Sequence, residues 1–543
     1  MGLFANIITP CIPHLVDMWE YGIPLDIELR NKLREETQLI LEEAKEAIAK
    51  ETGEYHKRRV WLIEEAISGL EEKLRASVAG EDGGAIDGGD GDATRCTKHP
   101  DYRGITKRQK CEACREVFSG AEGLRAQVKD LRSRAAKGRA VLKRIGPHFQ
   151  ATNDNHWRWL LFAKGGLGLA PVSRTGVKRE PKVDDDAMDK LTKKHPDIEL
   201  LKLRVISKQA ASRLANRLSV EPGPDGRVHF AYSLHRAPGR LSSGAESDED
   251  GKSRMSAGNA QNITEADRRM YVAEPGNILV AFDWSQIEAR VMAWLGDNRK
   301  MLRAWRDGAD IHALNGAAFA RSMGHPDATP EDSRRLTMRF GGQDRTFRYC
   351  AKRATHGWNY GMAAGLTSEL YGIDLATAAR LRQSYFDQWP QLVRFQRAEI
   401  TKAFDFHRNV NPFGRVARFY TQVSRKTGEQ ELIDRNWALA FRPQSTVSDM
   451  LKALIPAMAQ LYLNRGGRLL TTTHDSYVGQ VPVATNLDAF VIMAKGILEQ
   501  VWPELKTNEE FGMFSCPADA KYGKNWSEQS EENPEGLREL GVL

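Results

Sequence analysis

Residues 277–296, NILVAFDWSQIEARVMAWLG, change their hydrophobic pattern at a single carboxylate. Residues 278–281 form a short apolar run with β-branched members, which predicts a buried strand. Asp283 stands where this strand gives way to a helix, so rigid elements would hold its carboxylate in place. Taken alone, an aspartate at such a position is more often a helix N-cap. The helix is predicted from Gln286 onward by apolar residues at helical spacing: Ile287, Val291, Trp294 and Leu295.

A second carboxylate follows far downstream, in residues 468–480, RLLTTTHDSYVGQ. Two β-rich runs flank His474, Asp475 and Ser476, which predicts a hairpin that presents Asp475 at its turn. Two aspartates on neighbouring strands can hold a pair of Mg²⁺ ions for in-line phosphoryl transfer. The sequence therefore predicts a phosphoryl-transfer site, provided that the two segments meet in the fold.

A basic stripe lies between the two aspartates, in residues 348–361, RYCAKRATHGWNYG. Arg348, Lys352 and His356 are four residues apart, so they share one face of a helix. Two cations one turn apart can grip a triphosphate, and a ring further along can stack on a base. The alternative for the basic pair is a solvated helix face or a place in the core.

These three segments, in this order, resemble motifs A, B and C of the family A (DNA polymerase I-like) DNA polymerases. Motif A of that family reads DYSQIELR, and residues 283–290 read DWSQIEAR. The similarity extends along the chain from about residue 10. Further segments resemble the family's TGRLSS, NLQNI, DIH and GRR signatures: GRLSS at 239–243, NAQNI at 259–263, DIH at 310–312 and PFGR at 412–415.

The resemblance implies an α+β, right-hand polymerase fold with a palm, fingers and a thumb. The palm would contain a small antiparallel sheet, and the fingers and thumb would be helical. To this fold the spacing of cysteine and histidine residues described below, and not the resemblance, adds a zinc-binding insertion in the thumb. The implied divisions run in chain order: 1–30 a segment that joins the palm, 31–150 the thumb with the zinc insertion at about 90–118, 151–300 the thumb-to-palm passage and palm with motif A, 301–405 the fingers with motif B, and 406–543 the palm with motif C and the C-terminus.

The same resemblance assigns roles to individual residues. Asp283 and Asp475 would be catalytic and would hold two Mg²⁺ ions, with help from the backbone carbonyl of Trp284. Glu288 would fill the space that a ribose 2′-hydroxyl needs, which favours deoxynucleotides and argues against the single-subunit RNA polymerases of this fold. The residues implied for dNTP binding are Gln286, Glu288, His312, Arg348, Lys352, His356 and Tyr360. Those implied for primer–template contacts, each of which taken alone is more often structural, are Arg240, Asn259, Gln261, Asn262, Gln444 and His474.

Two positions depart from the family pattern. Ser476 follows Asp475 where relatives carry Glu, and a hydroxyl is a weaker metal ligand than a carboxylate; we expect impairment at most. His356 replaces a Phe or Tyr, which predicts atypical discrimination against dideoxynucleotides. These departures support the alternative of a catalytically degenerate polymerase fold that serves a replisome as a DNA-binding component. The intact metal carboxylates and phosphate-binding cations oppose it.

Cys96, His99, Cys111 and Cys114 form two pairs, each with a two-residue spacer, after a glycine- and aspartate-rich linker at 80–92. Paired ligands joined by a short loop can wrap one tetrahedral Zn²⁺. A chance cluster or a redox role is the alternative. Family A thumbs ordinarily lack such a module, so it marks a departure from the family. We expect one structural zinc that folds this segment locally, because so small a unit has little core of its own.

Bulk composition narrows the class of protein. The 543 residues suffice for several domains, the net charge of +7 fits a polyanion partner weakly, and six cysteines make no disulfide framework. Without a long apolar run or signal sequence, we expect no membrane association and a cytoplasmic location in a bacterial cell, with a phage or mobile element as a candidate source.

Residues 15–33 resemble the segment at which the polymerase region begins in relatives, and little precedes them. We therefore expect no 3′–5′ proofreading by this polypeptide. The expected partners are primer–template DNA, dNTPs, and a separate exonuclease or other replisome proteins.

Overall fold

The computed structural model describes residues 2–79, 121–145, 148–163, 166–174, 180–234, 236–244, 259–341, 343–424 and 427–540. The predicted zinc ligands Cys96, His99, Cys111 and Cys114 lie outside these residues. The chain forms two compact units, one of Met1–Thr37 with Ser212–Leu543 and one of Gln38–Ala211.

Helices occur in both units. In chain order they are α1 (Thr9–Tyr21), α2 (Ile27–Thr52), α3 (Tyr55–Ala79), α4 (Ala121–Ile145), α5 (Asp154–Phe162), α6 (Asp185–Lys194), α7 (Glu199–Asn216), α8 (Glu265–Arg268), α9 (Ile287–Leu295), α10 (Arg299–Arg306), α11 (Ile311–Ser322), α12 (Phe347–Asn359), α13 (Ala364–Tyr371), α14 (Leu375–Gln388), α15 (Pro390–Phe406), α16 (Arg435–Leu463) and α17 (Leu487–Leu498).

The strands are short. They are β1 (Ile23–Pro24), β2 (Arg227–Val228), β3 (Ala231–Ser233), β4 (Ser242–Gly244), β5 (Asn277–Trp284), β6 (Thr337–Phe340), β7 (Gln343–Thr346), β8 (Arg408–Val410), β9 (Val416–Arg418), β10 (Thr421–Val423), β11 (Gln430–Leu432), β12 (Arg468–Thr473), β13 (Ser476–Pro482), β14 (Ala518–Gly523) and β15 (Arg538–Glu539).

The larger unit is built on a five-stranded antiparallel sheet with the order β12-β13-β5-β14-β15. The strand predicted from residues 278–281 is its central strand, β5, and the predicted motif C hairpin is β12–β13. Side chains of β5 alternate between the two faces of the sheet. Val280, Phe282 and Trp284 are buried on the face that packs on α16 and α17. Asp283 therefore projects from the opposite face.

Helix α16 closes the packed face of the sheet. The Tyr462 hydroxyl donates to the Val280 carbonyl at 2.7 Å, and the Tyr477 hydroxyl donates to the Leu451 carbonyl at 2.6 Å. Both phenols are buried, so each satisfied hydroxyl fixes the strands against the helix. The end of β5 that carries Asp283 is thereby held rigidly.

Residues 301–405 fold mostly as helices, as predicted, around a second core within the same unit. The hairpin β6–β7 precedes α12 and was not foreseen. Helices α11 and α12 pack closely on each other, and the predicted basic stripe lies on α12. The buried aromatic residues of this core include Phe319, Phe347, Trp358, Tyr385 and Trp389.

The unit Gln38–Ala211 is almost entirely helical in its described part. Helices α2 and α3 are separated by a break at Gly53, whose φ is +53°. Helices α3 and α4 pack on each other and exchange ion pairs, among them Arg132 with Glu71 at 2.5 Å. A separate core includes Tyr55, Phe149, Trp157 and Leu201. Among the described residues, no helix has the length and apolarity that crossing a membrane requires.

Candidate active site

Strand pairing brings the two predicted metal-binding aspartates together. Ser476 pairs directly opposite Asp283, and His474 with Asp475 forms the two-residue turn between Thr473 and Ser476. The Trp284 amide donates to the Asp475 carbonyl at 3.4 Å. The two carboxyl groups lie close enough for the charge of Asp283 to raise the pKa of Asp475. Segments far apart in the chain thus meet at one end of the sheet.

Both carboxyl groups hold their protons more tightly than usual. Burial, followed by the negative charge of Asp519, raises the pKa of Asp283 to about 6. Burial, followed by the charge of Asp283, raises the pKa of Asp475 well above its ordinary value. The Asp283 side chain is exposed to solvent near the end of the central strand β5. Adjacent carboxylates that repel each other in this way favour a bound cation.

The donor set fits Mg²⁺, which prefers oxygen ligands. In the part of the chain that the structure describes, no three His, Cys, Asp or Glu side chains are grouped closely enough to hold a metal by themselves. Mg²⁺ commonly binds through one or two carboxylates and completes its shell with water and substrate phosphates. Asp283 and Asp475 match that mode. The Trp284 indole is buried and donates to the Leu498 carbonyl at 3.0 Å, which leaves the predicted role to its backbone carbonyl.

Gln261 holds the hairpin that presents Asp475. Its side-chain amide donates to the Thr472 carbonyl at 2.6 Å and accepts from the His474 amide at 2.8 Å. His474 itself is exposed and has a φ of 50°, a conformation that few side chains adopt without such support. Asn259 in turn accepts hydrogen bonds from the amides of Gln261 at 3.1 Å and Ser243 at 3.0 Å. The side chains of Gln261 and Asn259 therefore position the turn.

Glu288 connects three of the predicted segments. It lies in the first turn of α9, accepts from the Tyr360 hydroxyl at 2.7 Å and pairs with Arg240. The Gln444 side chain is also in hydrogen-bonding contact with Tyr360. Burial, and then the charge of Glu288, raises the pKa of Tyr360 well above its ordinary value. The residues predicted for sugar selection and DNA contact thus form one hydrogen-bonded group.

The basic stripe forms as predicted on α12. Arg348 donates through Nε to Asp310 Oδ2 at 2.6 Å, and Arg334 donates to the same oxygen at 2.7 Å. The other Asp310 oxygen accepts the His312 amide at 2.9 Å and so caps α11. Asp310 therefore links Arg348 to the helix that carries His312. Lys352 is exposed.

His312 is held neutral beside the two cations. Burial is the main cause that lowers the pKa of His312 to about 4, and the charges of Lys352 and Arg348 lower it further. Its Nδ1 is buried and has no hydrogen-bond partner among the described residues. A neutral ring with an unsatisfied nitrogen suits a polar ligand. His312 therefore lies near two cations, Arg348 and Lys352, and their proposed binding of anionic oxygens stays a prediction.

The remaining predicted residues line the same region. His356 is exposed, and its ring lies edge-on to that of Tyr360 with centroids 5.2 Å apart. Gln286 has a φ of 56° at the start of α9, and its Oε1 is buried without a hydrogen-bond partner in the described structure. Asn262 is exposed. The DNA contacts predicted for Arg240, Asn259, Gln261, Asn262, Gln444 and His474 stay predictions.

Three further residues of this region were not assigned roles from the sequence. Asp310 orients Arg348. Gly316 lets α11 approach α12, because a Cβ there would lie 2.7 Å from the backbone nitrogen of Arg348. Asp519 pairs directly opposite Asp283 on β14. The alternation of residues 518–523, ADAKYG, was the only local signal for a strand near Asp519.

Comparison with known proteins agrees with this arrangement. The sequence model of the family described as DNA polymerase family A matches residues 121–528, which is more than half of the chain. The matched segment includes every site residue described above and begins after the predicted zinc ligands.

Curated relatives are DNA polymerases I of bacteria. The thermostable DNA polymerase I of Thermus filiformis is 28% identical over 399 residues, which cover 72% of this chain and 43% of that protein. DNA polymerase I of Treponema pallidum is 30% identical over 319 residues, which cover 55% of this chain and 28% of that protein. The chain therefore spans less than half of the length of these relatives.

A solved structure shares the fold. It is the POL domain of Pol1 from M. smegmatis in complex with DNA primer-template and dNTP, with a TM-score of 0.63 and 18% identity. The likeness covers 96% of this chain and 70% of that chain. The mixed α/β architecture of the two proteins is the same.

Proposed function

This chain belongs to DNA polymerase family A, and we propose that it extends a DNA primer with deoxynucleotides, directed by a DNA template. The observation that carries the proposal is the meeting of Asp283 and Asp475 at the turn of the β12–β13 hairpin. Primer–template DNA and dNTPs are the proposed substrates, and the structural neighbour was solved with both.

Asp283, Asp475 and the Trp284 carbonyl would hold two Mg²⁺ ions. When bound, this metal pair lowers the pKa of the primer 3′-hydroxyl and stabilises the leaving pyrophosphate. The carboxyl groups must lose their protons to bind Mg²⁺. Positively charged side chains nearby and the metal itself both favour the deprotonated carboxylates. Gln261 fixes the orientation of Asp475 through the backbone of the turn.

Arg348, Lys352 and His312 would bind the triphosphate. Arg348 and Lys352 lie one turn apart on α12, and Asp310 holds the Arg348 guanidinium in place. Neutral His312 can donate one ring N–H to a phosphate oxygen. The oriented guanidinium then places the α-phosphorus for in-line attack.

Glu288 would select the sugar. Arg240 and Tyr360 both bind its carboxylate, so the side chain cannot swing away from the nucleotide. A side chain fixed in this place excludes the 2′-hydroxyl of a ribonucleotide, because it occupies the space that the hydroxyl needs and leaves the hydroxyl without a hydrogen-bond partner. We therefore expect dNTPs to be used and rNTPs to be rejected.

A primer-extension assay with Mg²⁺ and either dNTPs or rNTPs tests the proposal. We expect extension with dNTPs, and loss of activity by about 10³-fold or more in Asp475→Ala, because one carboxylate of the metal pair is gone. Binding of primer–template by the same variant, measured by fluorescence anisotropy, is the control for folding. Near-normal extension by Asp475→Ala would refute the mechanism.

Ser476 favours the second candidate, a degenerate polymerase fold that binds DNA without extending it. The same assay separates the two functions. Wild-type protein that binds primer–template tightly and yet incorporates no nucleotide would establish the second one. Incorporation of rNTPs in place of dNTPs would instead identify an RNA-synthesising enzyme.

The finer parts of the sequence interpretation belong to this proposal as well. They are the absence of 3′–5′ excision by this polypeptide, one structural Zn²⁺, and a phage or mobile-element source. Release of nucleotides from a labelled 3′ end, in a way that survives Asp475→Ala and copurifies with this chain, would contradict the first. We also propose a location in the bacterial cytoplasm, because the curated relatives are bacterial DNA polymerases.

A further inference from the structure

Three strands of the sheet place Ser476, Asp283 and Asp519 in one row. Ser476 on β13 and Asp519 on β14 each pair directly opposite Asp283 on β5. Residues directly opposite in an antiparallel pair share a face, with Cβ atoms about 4.5–5.5 Å apart. Asp519 therefore flanks Asp283 on the side away from the motif C hairpin.

The row differs from the family pattern at its first member. Motif C of the family carries Glu at the position of Ser476. Here the Ser476 hydroxyl donates to the Thr473 carbonyl at 3.0 Å and lies 2.7 Å from the Thr473 hydroxyl. It closes the turn and brings no charge. The β13 side of Asp283 thus lacks one carboxylate, while the β14 side presents one.

Asp519 has no competing structural duty in the described part of the protein. Its side chain is exposed and makes no hydrogen bond or ion pair there. The nearest cations are engaged elsewhere. Arg290 donates to the Ser285 carbonyl at 2.9 Å and lies over the Trp305 ring, and Lys521 pairs with Glu528.

We propose that Asp519 takes the place of the missing motif C carboxylate. The inference rests on the proposed function, because it needs a metal pair at Asp283 and Asp475. Since no three acidic side chains of the described residues are grouped for direct ligation, Asp519 acts as a positioning residue. Its carboxylate adds negative charge beside Asp283 and, when the metal is bound, would help to orient the ligands around it. Such outer contacts fix the geometry of a metal site.

The affinity of the full chain for Mn²⁺, measured by electron paramagnetic resonance in the absence of nucleotide, tests this role. We expect Asp519→Asn to weaken Mn²⁺ binding by about 10-fold to 100-fold, the usual effect of removing an outer partner. Asp519→Glu keeps the charge and should retain most of the affinity. Ser476→Glu in the Asp519→Asn background moves the carboxylate to the family's position and should recover much of it.

Glu539→Gln is the matched control, because Glu539 is an exposed carboxylate on β15 of the same sheet. It should bind Mn²⁺ like the wild type. Unchanged affinity in Asp519→Asn would overturn the inference. So would a loss that neither Asp519→Glu nor the Ser476→Glu double variant recovers, since a purely structural role predicts that result.

The same experiment keeps the two proposals apart. Wild-type protein that binds no Mn²⁺ and extends no primer would defeat the proposed function together with this inference. Wild-type protein that binds Mn²⁺ and extends primers, alongside an unaltered Asp519→Asn, would remove the role of Asp519 alone.

Discussion

Single carboxylates connect distant segments of this protein. Glu288 on α9 receives hydrogen bonds from Tyr360, which follows α12, and pairs with Arg240. Asp310 caps α11 with one oxygen and receives Arg348 and Arg334 with the other. Each carboxylate fixes two or more groups that the proposed reaction uses. A substitution at either position would therefore alter several contacts together.

Asp283 makes the metal-free protein sensitive to pH. Its pKa is about 6 in the folded chain, above its ordinary value of 3.8, so the folded state binds more protons between these values. The free energy of unfolding then falls as the pH rises from about 4 to about 6. Above about pH 6 the stabilisation that protonated Asp283 gives to the folded state is lost. Mg²⁺ should reverse the loss at neutral pH by stabilising the charged pair.

Thermal unfolding of metal-free protein between about pH 4 and about pH 7 checks this expectation, with Asp283→Asn as the comparison. The variant should lose part of the pH dependence and most of the stabilisation by Mg²⁺. Identical profiles for the two proteins would show that Asp283 does not titrate in this window. Because Asp283 and Asp475 interact, the measured midpoint belongs to the pair.

The placement of site residues could be predicted from the sequence where a motif is contiguous, while their roles stay predictions. Asp283, Asp475 and Arg348 were found because each sits in a recognisable local pattern. The clamp made by Gln261 was not, since its partners Thr472 and His474 are set by tertiary pairing. Asp519 was missed for the same reason.

At the scale of elements, the approach of α11 to α12 determines where Arg348 lies. A Cβ on Gly316 would lie 2.7 Å from the backbone nitrogen of Arg348 and 2.9 Å from its Cα. Because both are main-chain atoms, α12 would have to move. We expect Gly316→Ala to raise the KM for dNTPs by displacing Arg348. It should also destabilise the protein by about 1–3 kcal/mol, the usual cost of overpacking.

Steady-state primer extension and chemical unfolding measure the two effects. Gly365→Ala is the control, because Gly365 is also helical but has open space at its Cβ. Alanine there should raise stability slightly through helix propensity. An unchanged KM in Gly316→Ala would show that α12 tolerates the shift.

The hairpin β12–β13 and the central strand β5 were predictable as elements, because their β-rich runs are local. The pairing of β14 beside β5 was not, since register between distant strands depends on the assembled sheet.

At the scale of the whole molecule, the chain divides into a unit that contains all the proposed catalytic residues and the unit Gln38–Ala211. The α+β polymerase fold was predictable, because motif order and signatures identify the family. The helical unit extends to Ala211. The predicted division into palm, thumb and fingers, with the thumb over residues 31–150, stays a prediction.

The predicted zinc module falls within the residue range of the helical unit. We expect one Zn²⁺ per chain by elemental analysis, and its loss in a Cys111→Ala, Cys114→Ala double variant. Limited proteolysis should then cut the 80–120 segment faster, because metal binding supplies its folding energy. Primer extension at saturating DNA should persist, since Asp283 and Asp475 belong to the other unit.

Cys11→Ala is the control for that experiment. The Cys11 thiol is buried, donates to the Ile8 carbonyl at 3.1 Å, and has its pKa raised to about 11 by burial, so it is unsuited to bind metal as a thiolate. Its replacement should leave the zinc content unchanged. Zinc-free wild-type protein with reactive thiols would refute the module.

The hydrogen bond from the Trp284 amide to the Asp475 carbonyl ties the reaction centre to the backbone ladder of the sheet. A nascent chain still on the ribosome carries the first aspartate long before the second one is made. Until the later hairpin docks on β5, the chain has only half of the proposed metal-binding pair. Partly synthesised or partly unfolded forms would therefore lack the proposed activity, which would begin only when the sheet is complete.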